Sequence, residues 1–281
     1  MRISGKRLSK LAPVLLVVFL AGCSGLGGGA DKGGVEDLTA REIFDQGEFE
    51  LASDNIEKAA DLFAEVERLY PYSELAPRAL VMQAFAFHKA RDYEKSRAAA
   101  QRYVDNYPAS EDAAYAQYLL ALSYYDQIDD IGRDQRLTFQ ALQALRLVTE
   151  RHPDSEWARS AMAKFDLAFN HLAAKEMEVG RYYLKRQHYT ASINRFRVVV
   201  EDFQTTTHTP EALFRLVEAY LSLGLTNEAQ TAGAILGHNF QATEWYEDAF
   251  ALLTQQGLSA EAEGTGWLPS IYRRMIRGDW L

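Results

Sequence analysis

The chain contains one cysteine, Cys23, in 281 residues, so no disulfide can close within it and its stability must come from packing. Positive charge is also scarce. Lysine and arginine number 30 against 39 aspartates and glutamates, and four of the basic residues lie in the first ten positions. From residue 23 onward 26 basic residues face 39 acidic ones, a formal charge of −13. That balance argues against nucleic acid as a partner, because such binding rests on neutralising phosphates, and against broad adhesion to an anionic leaflet. Prolines number only seven, and β-branched runs are few after position 38, which points to an all-α body. The greasy stretch at residues 11–20 is too short to cross a bilayer, which takes roughly 20 apolar residues. Catalytic and metal-binding patterns are missing too. His88, His152, His171, His188, His208 and His238 are dispersed, with no His-Glu-x-x-His and no cysteine-histidine cluster. Asp126, Asp129, Asp130 and Asp134 crowd one segment but lack the alternating ligands and central glycine of a calcium loop, so a solvated polar insertion is the better reading. The chain reads as a non-enzyme that needs no cofactor or metal.

What is present begins at the N-terminus. Arg2, Lys6, Arg7 and Lys10 form a basic region ahead of the apolar stretch, the layout of an export signal. That stretch runs into Leu20-Ala21-Gly22-Cys23, which resembles the bacterial lipobox, where the cysteine thiol is acylated and the chain is cut before it. Ser24-Gly25-Leu26-Gly27-Gly28-Gly29 follows as a flexible tether. The competing reading is an ordinary export signal with an incidental cysteine. The lipobox implies a diacylglycerol and an N-acyl chain on Cys23. At ~0.8 kcal/mol per buried methylene, one chain binds marginally and several anchor permanently.

The body repeats. Tyr70-Pro71-Tyr72-Ser73, Tyr107-Pro108-Ala109-Ser110 and His152-Pro153-Asp154-Ser155 each close a helical pattern, with a looser fourth at His208-Thr209-Pro210-Glu211. Proline cannot continue a helix and pushes its predecessor out of the α region. The serine two positions later can cap the next helix, and Thr39-Ala40-Arg41-Glu42 reads as a capping box. This helix-turn-helix unit resembles the tetratricopeptide repeat, with small residues where paired helices approach and large ones where they interlock. Gly47, Ala59 and Phe63 occupy those positions in the first unit, and Ala84, Ser96 and Tyr103 in the second. The third has Ala121, Ala141 and Val148, with an insertion at 126–136. The fourth has Gly180, Ser192 and Phe196 but departs at Gln204, where the expected proline is replaced and Thr205-Thr206-Thr207 intervenes. In the fifth, Val217 stands at the small position and Gly233 at the aromatic one, so it reads as degenerate. The fold expected is an α-solenoid of about five such units, with one long helix between Asp154 and about Arg186. The expected divisions are a signal peptide at 1–22, lipidated cysteine and tether at 23–37, units one to three at 38–153, units four and five with a terminal helix at 154–256, and a tail at 257–281.

In a tetratricopeptide superhelix the first helix of each unit lines the concave groove. The register places Phe44, Arg78, Val81, Phe85, His88, Tyr115, Tyr118 and Tyr125 there. An aromatic groove with an arginine at its rim suits an extended peptide with bulky side chains and a terminal carboxylate. Any one of these aromatics fits inter-helix packing equally well. The later units present a more mixed surface, with Arg181, Phe214 and Glu218, expected together with Asn194 and Arg195 to form a subunit contact.

The lipobox, tether, five units, Tyr-Pro-x-Ser punctuation and the insertion's Gly132-Arg133-Asp134-Gln135 together resemble the BamD (ComL) family over nearly the whole mature chain. These are lipoprotein subunits of the outer-membrane β-barrel assembly machine. The resemblance implies a scaffold on the periplasmic face of the cell outer membrane, reaching the bilayer through its acyl anchor. Its C-terminal units would hold the periplasmic domains of the barrel-forming subunit, near Asn194 and Arg195. Its N-terminal groove would meet unfolded outer-membrane protein precursors, in company with other assembly lipoproteins. The runner-up is a pilotin-like or peptidoglycan-enzyme-scaffolding tetratricopeptide lipoprotein, against which the third unit's insertion counts. The tail around Trp267-Leu268-Pro269-Ser270 matches no pattern.

Overall fold

Two turns, each used repeatedly, set the architecture of residues 34–259, the part described by this computed structural model. Cys23, the tether and the tail from residue 260 lie outside the described residues. The first turn joins the two helices of a unit: α1 (Ala40–Ala52) to α2 (Ile56–Leu69), α3 (Leu75–Lys89) to α4 (Tyr93–Asn106), α7 (Glu156–Lys185) to α8 (Tyr189–Asp202), and α9 (Thr209–Ser222) to α10 (Thr226–Asn239). Each passes through one left-handed residue, Asp54, Arg91, Gln187 or Gly224, at φ 63°, 61°, 63° and 73°. The next amide then reaches five residues back, as from Asn55 to the Glu50 carbonyl at 2.9 Å and from His188 to Tyr183 at 3.0 Å. That pairing satisfies carbonyls the helix end would otherwise leave open. The third unit differs, because residues 126–135 separate α5 (Ala113–Tyr125) from α6 (Arg136–Arg151).

The second turn joins one unit to the next. Helices α2, α4, α6, α8 and α10 stop at Tyr70, Tyr107, His152, Phe203 and Phe240, all with φ between −125° and −134°. Three residues on, the amides of Ser73, Ser110, Ser155, Thr206 and Thr243 donate to those carbonyls at 3.0–3.2 Å. The hydroxyls of Ser110, Ser155, Thr206 and Thr243 donate to the same carbonyls at 2.7–2.8 Å. The fourth punctuation is therefore Phe203-Gln204-Thr205-Thr206, not the segment at Pro210, and a fifth lies at Phe240-Gln241-Ala242-Thr243. The hydroxyl residue defines this turn, and glutamine replaces proline twice. The serines also cap less than their positions promise. Ser155 accepts from the Ala158 amide at 3.1 Å, but α5 has no side-chain cap, because it begins after Asp112, two residues beyond Ser110. Thr39 and Glu42 do form the capping box of α1.

Within a unit, the small position admits the neighbour's ring. A Cβ built on Gly47 would lie 2.8 Å from the Phe63 ring, and one on Gly180 would press harder still on Phe196. Val217 and Gly233 sit 37 residues beyond Gly180 and Phe196, and both are buried. The fifth unit thus carries the larger side chain on its first helix and the glycine on its second, without the ring-over-glycine contact of units one and four. The 30 residues of α7 form one helix, whose first half packs on α6 and second half on α8. One core joins units two and three, another joins units four and five with α11 (Glu244–Gln255), and a third fills unit one.

Candidate binding surface

The first helices α1, α3, α5, α7 and α9 touch one another in series, so their shared face is the solenoid's concave lining. Curvature decides what stays open there. Phe44, Val81 and Tyr118 are only 2%, 3% and 6% exposed. The Phe44 ring lies 5.3 Å from Phe63, and Tyr118 lies 5.3 Å from Trp157. These three belong to the core and cannot serve as peptide contacts. Helical periodicity placed them on the right face, but each first helix has another first helix beside it, which covers the flanks of its stripe.

What remains is a strip of partly open side chains. Arg78 is exposed and makes no ion pair, Phe85 and His88 are half-buried beyond it on α3, and Tyr115 and Tyr125 continue it on α5. Two residues that sequence reasoning missed complete the strip. The Trp157 ring sits 4.5 Å from Tyr115, and the Lys164 ammonium lies 4.5 Å above Tyr125. Both lie on the first half of α7, whereas the fourth unit's repeat positions begin on its second half, at Gly180. The signal available was a tryptophan two positions after a capping serine.

Burial holds the phenols neutral. It pushes Tyr115 up to about 12, with Tyr118 and Asp112 adding to the effect. Tyr118 and Tyr125 are raised by the same cause first and by Asp126 second. His88 Nε2 stands 3.0 Å from an Asp126 carboxylate oxygen but off the line of a hydrogen bond, so the contact is an ion pair only when the imidazole is protonated. The insertion is tied down behind this edge. Lys175 donates to the Gly132 carbonyl at 3.2 Å, and His171 meets the Gln135 side chain at 3.1 Å.

The later units look different. Arg181 pairs with Glu211 at 2.8 Å, and Arg215 meets Glu211 at 3.3 Å and Glu218 at 2.7 Å. Arg195 pairs with Glu176 at 3.0 Å. Phe214 is 7% exposed, 5.7 Å from the Trp245 ring, with the Arg215 guanidinium 5.0 Å above it. Phe214 is thus a core residue rather than a contact, and Arg181, Arg195 and Glu218 are engaged within the chain rather than free. Asn194 alone of the proposed subunit-contact set is exposed without a partner. Burial, then the Arg181 charge, lowers the His208 pKa below its ordinary 6.5. Among the described residues no group of three or more His, Cys, Asp or Glu could hold a metal ion, and no helix is long and apolar enough to cross a membrane.

A family model described as YfiO, outer membrane lipoprotein, matches residues 36–235. A protein of Caulobacter vibrioides named outer membrane protein assembly factor BamD is 43% identical over 261 residues, covering 92% of this chain and 85% of its own. A protein of the same name from Rickettsia prowazekii is 38% identical over 249 residues, covering 88% and 98%. One from Neisseria meningitidis is 28% identical over 252 residues, covering 85% and 94%.

Proposed function

The chain belongs to the BamD family of outer-membrane protein assembly factors, and from that premise we propose how it does this work. It is a scaffold rather than an enzyme, held at the periplasmic face of the outer membrane by lipid on Cys23. Its first three units capture unfolded barrel precursors. Units four and five hold the periplasmic domains of the barrel-forming subunit, and other assembly lipoproteins join the same body. The observation that carries this reading is the half-open aromatic strip of Phe85, Tyr115, Tyr125 and Trp157 beside the unpaired Arg78. A barrel precursor offers alternating aromatics, which stack on such rings, and a C-terminal carboxylate, which a guanidinium receives through two parallel hydrogen bonds. A folded domain would meet the later units through polar complementarity, which sets specificity and association rate. The pilotin-like or peptidoglycan-scaffolding alternative finds no support among the relatives, which are named for assembly.

A labelled barrel C-terminal peptide, titrated beside co-purification of the barrel-forming subunit, tests the division of labour. Arg78→Glu with Tyr125→Ala is expected to weaken the peptide about tenfold or more and to leave the subunit bound. Arg195→Glu is expected to do the reverse, because it puts two like charges beside each other at Glu176 and repels what arginine attracted. If both variants stay folded and lose both activities, the division is wrong. Cys23→Ala should abolish the acyl mass increment. An unchanged mass would remove the anchor from the account.

A further inference from the structure

A groove of about 880 Å³ opens between α6, α7 and α8 and shares no lining residue with the aromatic strip. It lies along the 30-residue α7 where cover passes from α6 to α8, beside Ala168 and Leu172, which are buried against Leu142. Phe165 and Phe169 form the floor, Phe139 and Leu142 one wall, and Val198 and Phe203 the other. Phe139 is 55% exposed, and Met162, lining a smaller hollow that shares Phe165, is 51% exposed. Contiguous apolar surface of this kind marks a binding site. Glu150 and Asp202 line the groove without ion-pair partners, Glu176 is already held by Arg195, and the Arg146 cation lies 5.6 Å over the Phe165 ring. The free charge at the rim is therefore mainly negative.

We infer that residues 267–277 of the same chain occupy this groove. The chain has no lysine or arginine between Arg215 and Arg273, and then carries Arg273, Arg274 and Arg277 within five positions. Between and before them stand Trp267, Leu268, Ile271, Tyr272, Met275 and Ile276, apolar material in proportion to the apolar walls. The position of the described end agrees. Ser259 lies 3.5 Å from Gln230 on α10, one unit away from α8. Residues 260–267 can span about 26–29 Å when extended, against about 10 Å for each helix-to-helix step. The tail therefore reaches the groove with Trp267 leading, and its arginines meet Glu150 and Asp202 at the rim. It acts as a strap across α6, α7 and α8, covering the half-buried Phe165 and Phe169 in the middle of α7. This assignment does not depend on what the concave strip binds.

A photo-crosslinking amino acid placed at Phe139 in the full chain reads the occupant directly. The expected product is an intrachain crosslink to residues 267–277 in monomeric protein, with none from the same probe at Phe49, which is 68% exposed on α1. Glu150→Arg with Asp202→Arg should reduce the yield about tenfold, and adding Arg273→Glu with Arg274→Glu should restore it. Ile271→Asp with Met275→Asp, outside the folded repeats, should abolish it. Covalent dimers would assign the groove to a second copy, and crosslinks to other proteins would assign it to a partner; either overturns the proposal. So does an absent tail crosslink, or one indifferent to both sets of substitutions.

Discussion

Units one to three and units four and five are built with the same turns and the same small-against-large contact, yet they present opposite chemistry. The early units end at an aromatic strip with neutral phenols and one unpaired guanidinium, Arg78. The later units close their charges on themselves, Arg181 to Glu211 to Arg215 to Glu218. A repeat therefore dictates backbone and core while leaving the lining free to diverge, because lining positions contribute little to the inter-helix contact. An early surface that still holds open rings suits flexible chains, whereas a later one of pre-arranged charges suits a folded partner.

The core offers the sharpest way to separate the halves. Phe63 and Phe196 are fully buried against Gly47 and Gly180. Each truncation to alanine should cost about 3–5 kcal/mol. In a structure whose units contact only neighbours, hydrogen exchange should rise around α1 to α3 for Phe63→Ala and around α7 to α9 for Phe196→Ala. Equal loss at both ends would mean that α7 couples the halves into one unit.

A smaller effect is expected from the charges. Glu211 serves two arginines with a side chain 14% exposed. Glu211→Gln should lower stability by about 2 kcal/mol, the scale of hydrogen bonds to charged groups. Arg78→Glu should stay within about 0.5 kcal/mol, as for surface sites without partners. Denaturant titration of both variants checks this, and equal losses would erase the contrast between bound and free charge.

Opposite pH extremes should then strike opposite halves. The folded state holds His208 below its ordinary 6.5, so the unfolded chain binds the proton first and stability falls as pH drops below 6.5 toward the lowered folded value. Tyr115 is held at about 12 against an ordinary 10, so stability is full below pH 10 and declines between 10 and 12. His208→Gln should flatten the acid limb and Tyr115→Phe the alkaline one. Unfolding measured across both ranges would contradict the assignment if either substitution left its slope unchanged.

The smallest difference lies in the turns. Gln187 and Asp54 hold left-handed backbone at φ 63°, which costs most side chains about 1–2 kcal/mol, with aspartate among the exceptions. After glycine's own entropy cost, Gln187→Gly should stabilise by about 0.5–1 kcal/mol and Asp54→Gly by less. A fall in melting temperature for Gln187→Gly would show that its side chain has a role no contact reveals.

Legibility followed distance along the chain. The capping box at Thr39 and Glu42, the pairing of Gly47 with Phe63 and the 30-residue span of α7 are local or periodic, and all could be read from residue order. The turn at Phe203 is legible only as a departure, Gln204 where proline is expected, because the bond that makes it comes from the hydroxyl of Thr206. Phe44, Val81 and Tyr118 were misplaced for another reason: facing the concave side is a matter of helical phase, but staying open there depends on the neighbouring helix. Trp157 and Lys164 entered the strip only because α7 crosses from one unit to the next. By itself the sequence determined the repeat, its all-helical class and its export and family marks, since these rest on spacing and on chemistry within a few turns of helix. The tertiary structure decided which aromatics remain accessible, which charges are spent on each other and where a half-open apolar groove runs along α7, because each depends on curvature and on contacts between residues tens of positions apart.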